Sequence, residues 1–156
     1  MNTKVGSFFR LPALLLVLFL PVPLHAGNID ERIPDEQTLT EMEAYALQAP
    51  AREQCFLYAE LVHTMTELAG QQILAGDTAH ASVSLKKAEH YAQLIQMSFA
   101  RDTKRLKNAE LLMHHTTRRL GEYLRAASGE DRPVLQATLK QLDQVQDDLL
   151  KEVFAH

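Results

Sequence analysis

The chain has 156 residues, of which 46% are hydrophobic and 23% charged, with one Cys, no Trp and a formal net charge of −4. That length suits one ordinary domain and leaves little room for two. A single Cys excludes an internal disulfide and a Cys-x-x-Cys-His haem attachment, and the acidic balance excludes a general nucleic-acid binder.

Residues 1–26 read as a secretory signal. Lys4 and Arg10 form a positive start, residues 11–20 an uncharged apolar run, and Pro21 to Ala26 a helix-breaking segment that ends in a small residue. Pro12, Pro21 and Pro23 leave too short an unbroken run to span the ~30 Å of a bilayer core. Cleavage is expected after Ala26, and no Cys stands at the cleavage site to carry a lipid anchor. The mature chain is therefore expected to be periplasmic or secreted, with no stable membrane insertion. Without Lys4 and Arg10 it has 14 basic against 20 acidic residues, a net charge of −6.

Residues 27–34 are a short polar lead-in containing a proline, and 35–156 is expected to be a single helical domain. Asp35 is positioned to cap a first helix over 35–48, with Leu39, Met42, Tyr45 and Ala46 on one face. Pro50 ends that stretch and opens a second helix over 50–75. Its apolar positions Cys55, Tyr58, Ala59, Val62, Met65, Ala69 and Ile73 recur in steps of three and four, and Leu57, Leu61 and Leu68 widen the stripe. Cys55 falls within this pattern and reads as a small buried packing residue, the alternative being an intermolecular bridge.

Ala75-Gly76-Asp77-Thr78 reads as a tight helix-helix turn, with Gly as the stop and Asp or Thr as the next cap. No Pro or Gly follows until Gly121. A heptad-like seam runs through Leu85, Ala88, Ala92, Ile95, Phe99, Asp102, Leu106, Ala109, Met113, Thr116, Leu120 and Tyr123. Read literally, 78–127 is one long helix, about 75 Å at 1.5 Å per residue. The second and last helices would then each pack on one half of it. The alternative is a break near residues 100–103, where Asp102 is the one charged residue on the seam, giving a compact four-helix bundle. A final helix is expected over 132–154, after the turn Ser128 to Pro133, with Leu135, Leu139, Leu142, Val145, Leu149 and Val153 inward. The fold class is all-α: an antiparallel helical hairpin or bundle built around one long or kinked central helix.

Around the Gly76 turn, Leu68-Ala69, Gly76-Asp77, Ala81, Leu85 and Ala88 stand at spacings that resemble a tetratricopeptide repeat. The resemblance covers about one repeat, implies a protein-binding role and names no ligand. Gln93 stands where the repeat's closing proline belongs, and no second copy follows. Small residues at a close helix crossing would give the same pattern without kinship.

Three constellations bear on chemistry. Glu60-Leu61-Val62-His63 has the Glu-x-x-His spacing of diiron helical bundles, but Glu110 and His114 are four residues apart and do not complete a second copy. His114 and His115 are helix neighbours pointing about 100° apart, a poor chelating pair, and read as surface histidines. Between Arg101 and Arg125, seven basic residues (Arg101, Lys104, Arg105, Lys107, Arg118, Arg119, Arg125) face only Asp102, Glu110 and Glu122, a local net of +4. This stretch is either an anion-binding stripe or is compensated from within. The acids expected to compensate it are Asp30 to Glu43 and, on the last helix, Asp143, Asp147 and Asp148.

No glycine-rich phosphate loop and no nucleophile elbow occur, so no catalytic, cofactor or metal residue is assigned and the chain is not expected to be an enzyme. The expected function is that of an exported, non-catalytic interaction or scaffold module of the cell envelope. Its partner is expected to be a protein or a second copy, which apolar residues such as Leu94, Leu111 and Leu112 would contact. The alternatives are a metal- or cofactor-binding helical bundle and an envelope chaperone.

Overall fold

In the computed structural model, which describes residues 33–99 and 104–155, side chains and turns that satisfy otherwise unpaired backbone groups set the helix boundaries. The chain divides after Glu31, and the unit from Arg32 to His156 holds every described helix. The signal segment 1–26, most of the lead-in 27–34, Arg101 and Asp102 lie outside the described residues.

The Asp35 carboxylate accepts the Thr38 N–H at 2.8 Å and opens α1 (Glu36–Gln48). Pro50 opens α2 (Ala51–Leu74), where its missing N–H is no loss. The α2 stop is a full Schellman turn: Gly76 N–H donates to Ile73 O at 3.0 Å and Asp77 N–H to Gln72 O at 2.8 Å, with Gly76 at φ +78°. Asp77 then caps α3 (Thr78–Ser98), accepting from the backbone N–H of His80. After α4 (Leu106–Ala126), the Ser128 hydroxyl donates to Asp131 at 2.7 Å in the turn that leads into α5 (Arg132–Ala155).

The expected all-α bundle is what the structure shows, but the expected helix over 78–127 is corrected: it is two helices, α3 and α4. The break needs neither Gly nor Pro. Arg105 takes the left-handed conformation at φ 57°, and its guanidinium lies over the Phe56 ring, 3.4 Å from the ring centre. A left-handed non-glycine residue costs about 1–2 kcal/mol. In return, a second face of α2 is covered by α4, a face that one straight helix would leave in water.

The packed pairs are α2 with α3, α2 with α4, α4 with α5 and α3 with α5, while α1 lies against α2. Their directions follow from side-chain partners. Tyr58 stacks on Tyr91 with ring centres 6.2 Å apart, and Ser84 donates to Gln72, so α2 and α3 are antiparallel. His63 meets Thr116 and Glu67 meets Arg119, so α2 and α4 are parallel. Thr138 donates to Glu89 and Gln96 to Asp148, so α3 and α5 are parallel. Within the unit from Arg32 to His156, α2 to α5 thus form two helical hairpins, α2/α3 and α4/α5, set side by side with α2 parallel to α4 and α3 parallel to α5.

Its core is formed by Leu61, Met65, Leu85, Ile95, Met113, Leu120, Leu135, Leu142 and Leu149, all fully buried. Ala69, Ala81 and Ala88 are buried where α2 crosses α3, the place that both readings of the repeat-like spacing require. Cys55 is fully buried in α2. Among the described residues no helix is long and apolar enough to cross a membrane.

The Gly76 turn yields a direct test. No atom lies within 4 Å of where a Cβ would sit at Gly76, so Gly76→Ala isolates the conformational cost of its positive φ. We expect a loss of about 1 kcal/mol in urea unfolding, with no change in helix content by circular dichroism.

Candidate functional site

The face of α2 that meets α4 is spaced like a packing seam but carries three polar residues at its centre: Phe56, Glu60, His63, Glu67 and Gly70 recur in steps of four and three. From α4 the facing residues are Arg105, Leu112, His115, Thr116, Arg119 and Tyr123. Hydrophobic periodicity passes over such a seam. Only the helical spacing of its polar side chains could have revealed it.

One end of the seam is closed. Glu67, only 5% exposed, accepts two hydrogen bonds from Arg119, Nε to Oε1 at 2.9 Å and Nη2 to Oε2 at 3.0 Å, and a third from the Tyr123 hydroxyl at 2.5 Å. Arg119 also donates to Glu122 at 2.7 Å and to the Tyr123 oxygen at 2.7 Å. Burial raises the Glu67 pKa, but the bonds from Arg119 and Tyr123, the charge of Arg119 and the influence of His63 outweigh it. The carboxyl is held below the ordinary glutamate value. Tyr123 reaches Glu67 by laying its ring across the α2 backbone at Gly70, where any Cβ would collide with it.

The other end is open. Phe56, Glu60, Asn108, Leu111, Leu112 and His115 line a groove between α2 and α4, and Leu111 remains 56% exposed there. Burial pushes the Glu60 carboxyl above its ordinary value, with the Arg105 charge opposing. Between the two ends, His63 Nδ1 is 3.0 Å from the Thr116 hydroxyl, and the His63 and His115 rings approach to 5.4 Å between centres at a tilt of 50°.

The diiron pattern is not assembled. His114 lies on the other side of α4, where Gln146 Nε2 donates to its Nδ1 at 2.9 Å, so it does not join Glu60 and His63. Among the described residues no three of His, Cys, Asp and Glu converge as a metal centre. His114 and His115 are both exposed, but His115 shares the α2/α4 groove whereas His114 lines a shallow groove of α4 and α5 with Thr117, Arg118, Leu139, Asp143, Gln146 and Asp147. In that groove burial, and then the neighbouring Asp147 charge, raise the Asp143 carboxyl.

The ion pairs seen in the basic stretch come mainly from a direction the sequence did not indicate. Lys104 pairs with Glu53 at 3.8 Å and Arg119 with Glu67, both on α2, and Arg118 pairs with Glu122 on its own helix at 3.6 Å. Glu43, expected to dock against this stretch, instead pairs with Lys87 of α3 at 2.8 Å. Of the α5 acids, Asp143 and Asp147 share a groove with Arg118, while Asp148 accepts from Lys151 at 3.0 Å. No family model matches the chain, and no curated protein and no solved structure matches it either.

The buried network makes stability depend on pH with a definite sign. The folded carboxyl of Glu67 titrates below its unfolded value of about 4.3, so its contribution is present at neutral pH and is lost as pH falls through the folded value. Glu67→Gln should lower unfolding stability by about 2–4 kcal/mol at pH 7. The gap to wild type should narrow in urea titrations as pH falls below the ordinary glutamate value of about 4.3 and on through the lower folded value, where the wild-type carboxyl takes up its proton. A gap that is constant with pH would contradict the ion-pair account.

Proposed function

We propose that the chain is an exported, non-catalytic helical module of the cell envelope that binds a protein, or a second copy of itself, through the open groove between α2 and α4. The observation that carries this reading is Leu111, an aliphatic side chain 56% exposed beside Phe56 and Leu112 in a groove with acidic and imidazole groups on its walls. Apolar side chains clustered with polar ones in a groove are the usual anchor points of partner recognition.

The neighbouring chemistry also favours binding over catalysis. The strongest acid-base cluster, Glu67 with Arg119 and Tyr123, spends its donors and acceptors on one another inside the bundle. Export rests on the sequence pattern of residues 1–26. A second reading, a metal-binding bundle, is supported by the approach of the His63 and His115 rings.

The test compares wild type with Leu111→Glu, a change at an exposed position that should alter stability by no more than about 0.5 kcal/mol. Light scattering over a wide concentration range should show a dimer for wild type and a monomer for the variant if the partner is a second copy. If the partner is another protein, tagged wild type should capture it from the native envelope and the variant should not. A wild type that is monomeric throughout, together with identical capture by both forms, would refute the groove as an interface. Export is checked separately: mass spectrometry of the mature protein should place its first residue at Gly27.

A further inference from the structure

The outer face of the α4/α5 hairpin carries charges that its own chain leaves unmatched. The two helices run antiparallel, and the Thr117 hydroxyl of α4 donates to Gln146 of α5 at 2.8 Å. At that height their shallow groove is lined by Arg118 from α4 and by Leu139, Asp143 and Asp147 from α5. Asp143 and Asp147 are exposed, one helical turn apart, and neither forms an ion pair among the described residues. Partial burial, and then the Asp147 charge, raise the Asp143 carboxyl, so a cation brought from outside would relieve it. Arg118, its side chain 75% exposed, pairs with Glu122 of its own helix at 3.6 Å rather than with either aspartate, and exposed pairs of that kind hold weakly.

The same stripe of α5 is apolar toward its end. Leu139, Asp143, Asp147, Leu150 and Phe154 recur in steps of four, four, three and four, the spacing of a helix-packing seam, yet Leu150 is 40% exposed and Phe154 82%.

Symmetry selects the occupant. A two-fold axis along the groove, parallel to the helices, keeps every residue at its own height and sets α4 of one copy antiparallel against α5 of the other. Arg118 of each copy then faces Asp143 and Asp147 of the other, so the complementary contact is made twice, and Leu150 and Phe154 of both copies gather beside it. The 21 residues of α4 span about 30 Å and two packed helices present a face about 20 Å wide, so each copy can cover on the order of 600 Å². The total of about 1,200 Å² lies at the lower end of stable specific interfaces.

We propose that the chain forms a two-fold symmetric dimer through the outer face of α4 and α5, with Arg118 of each copy on Asp143 and Asp147 of the other. This surface shares no residue with the lining of the α2/α4 groove, and leaves that groove open to a different protein.

The test is a charge exchange read by light scattering over a wide concentration range. Wild type should dimerise. Arg118→Asp sets acid against acid, and the double variant Asp143→Arg, Asp147→Arg sets base against base, so each should weaken the dimer on the order of a hundredfold. Mixed in equal amounts, the two variants should form a heterodimer, because both cross-copy contacts are again of opposite sign. Leu111→Glu should stay dimeric. Circular dichroism checks helix content; if either charge variant unfolds, Arg118→Gln and Asp147→Asn decide instead, each expected to weaken the dimer about tenfold. A wild type that is monomeric throughout overturns the proposal and leaves capture of another protein by the α2/α4 groove untouched. Charge variants that remain dimeric, or a mixture that remains monomeric, also overturn it. A dimer broken by Leu111→Glu but not by the charge variants would overturn it too, by placing the second copy in the α2/α4 groove.

Discussion

A carboxylate enclosed by helices is unstable unless cations and hydroxyls close around it, and in this bundle everything near Glu67 is arranged to do so. An unpaired ion there would cost several kcal/mol. Arg119 presents two N–H groups and Tyr123 a hydroxyl, one turn apart on α4. For Tyr123 to reach, its ring must lie flat against α2, and residue 70 must have no side chain. Apolar helix faces tolerate a slide of a few tenths of a turn, whereas a forked guanidinium on a carboxylate does not. The network therefore sets both the rotation and the axial position of α4 on α2.

That constraint explains the break in the central segment. α3 runs antiparallel to α2 and so finishes beside the start of α2. For α4 to lie parallel to α2, it must begin at the same end, and the chain has to reverse between Phe99 and Leu106. Arg105 makes the last step of that reversal in a left-handed conformation, and its guanidinium rests on Phe56, the first residue of the polar seam. One strained residue is a small cost compared with burying Leu106, Ala109, Met113, Leu120 and Tyr123 of α4. The second hairpin then falls beside the first, so that Glu89 of α3 meets Thr138 of α5 and Gln96 meets Asp148.

The sequence is informative where structure is encoded by apolar periodicity and turn chemistry. The α2/α3 hairpin can be read from Tyr58, Val62, Met65 and Ala69 on one side and Ala81, Leu85, Ala88 and Ile95 on the other, joined through Gly76 and Asp77. The α2/α4 contact cannot, because its residues are Glu60, His63, Glu67 and Gly70, which look like a solvated face and a chance glycine. The uninterrupted seam from Leu85 to Tyr123 was misleading for a related reason. A heptad pattern records which face is buried on each helix, and it stays in phase across a reversal if both helices bury the same phase. The +4 stretch was visible as charge, but its partners Glu53 and Glu67 are more than fifty residues away from Lys104 and Arg119, beyond the reach of local pattern.

The same seam divides the molecule electrostatically. At its closed end Arg119 is consumed by Glu67 and Glu122, and Arg118 also pairs with Glu122, so positive charge that looks available in the sequence is neutralised within the bundle. The chain as a whole keeps a formal net charge of −4. At the open end, Glu60 is half-buried with its carboxyl raised, a group that gains when positive charge arrives, and Leu111 offers apolar contact beside it. The half-buried carboxylate and the exposed Leu111 thus share one groove, positioned by a buried ion pair two turns of α2 away.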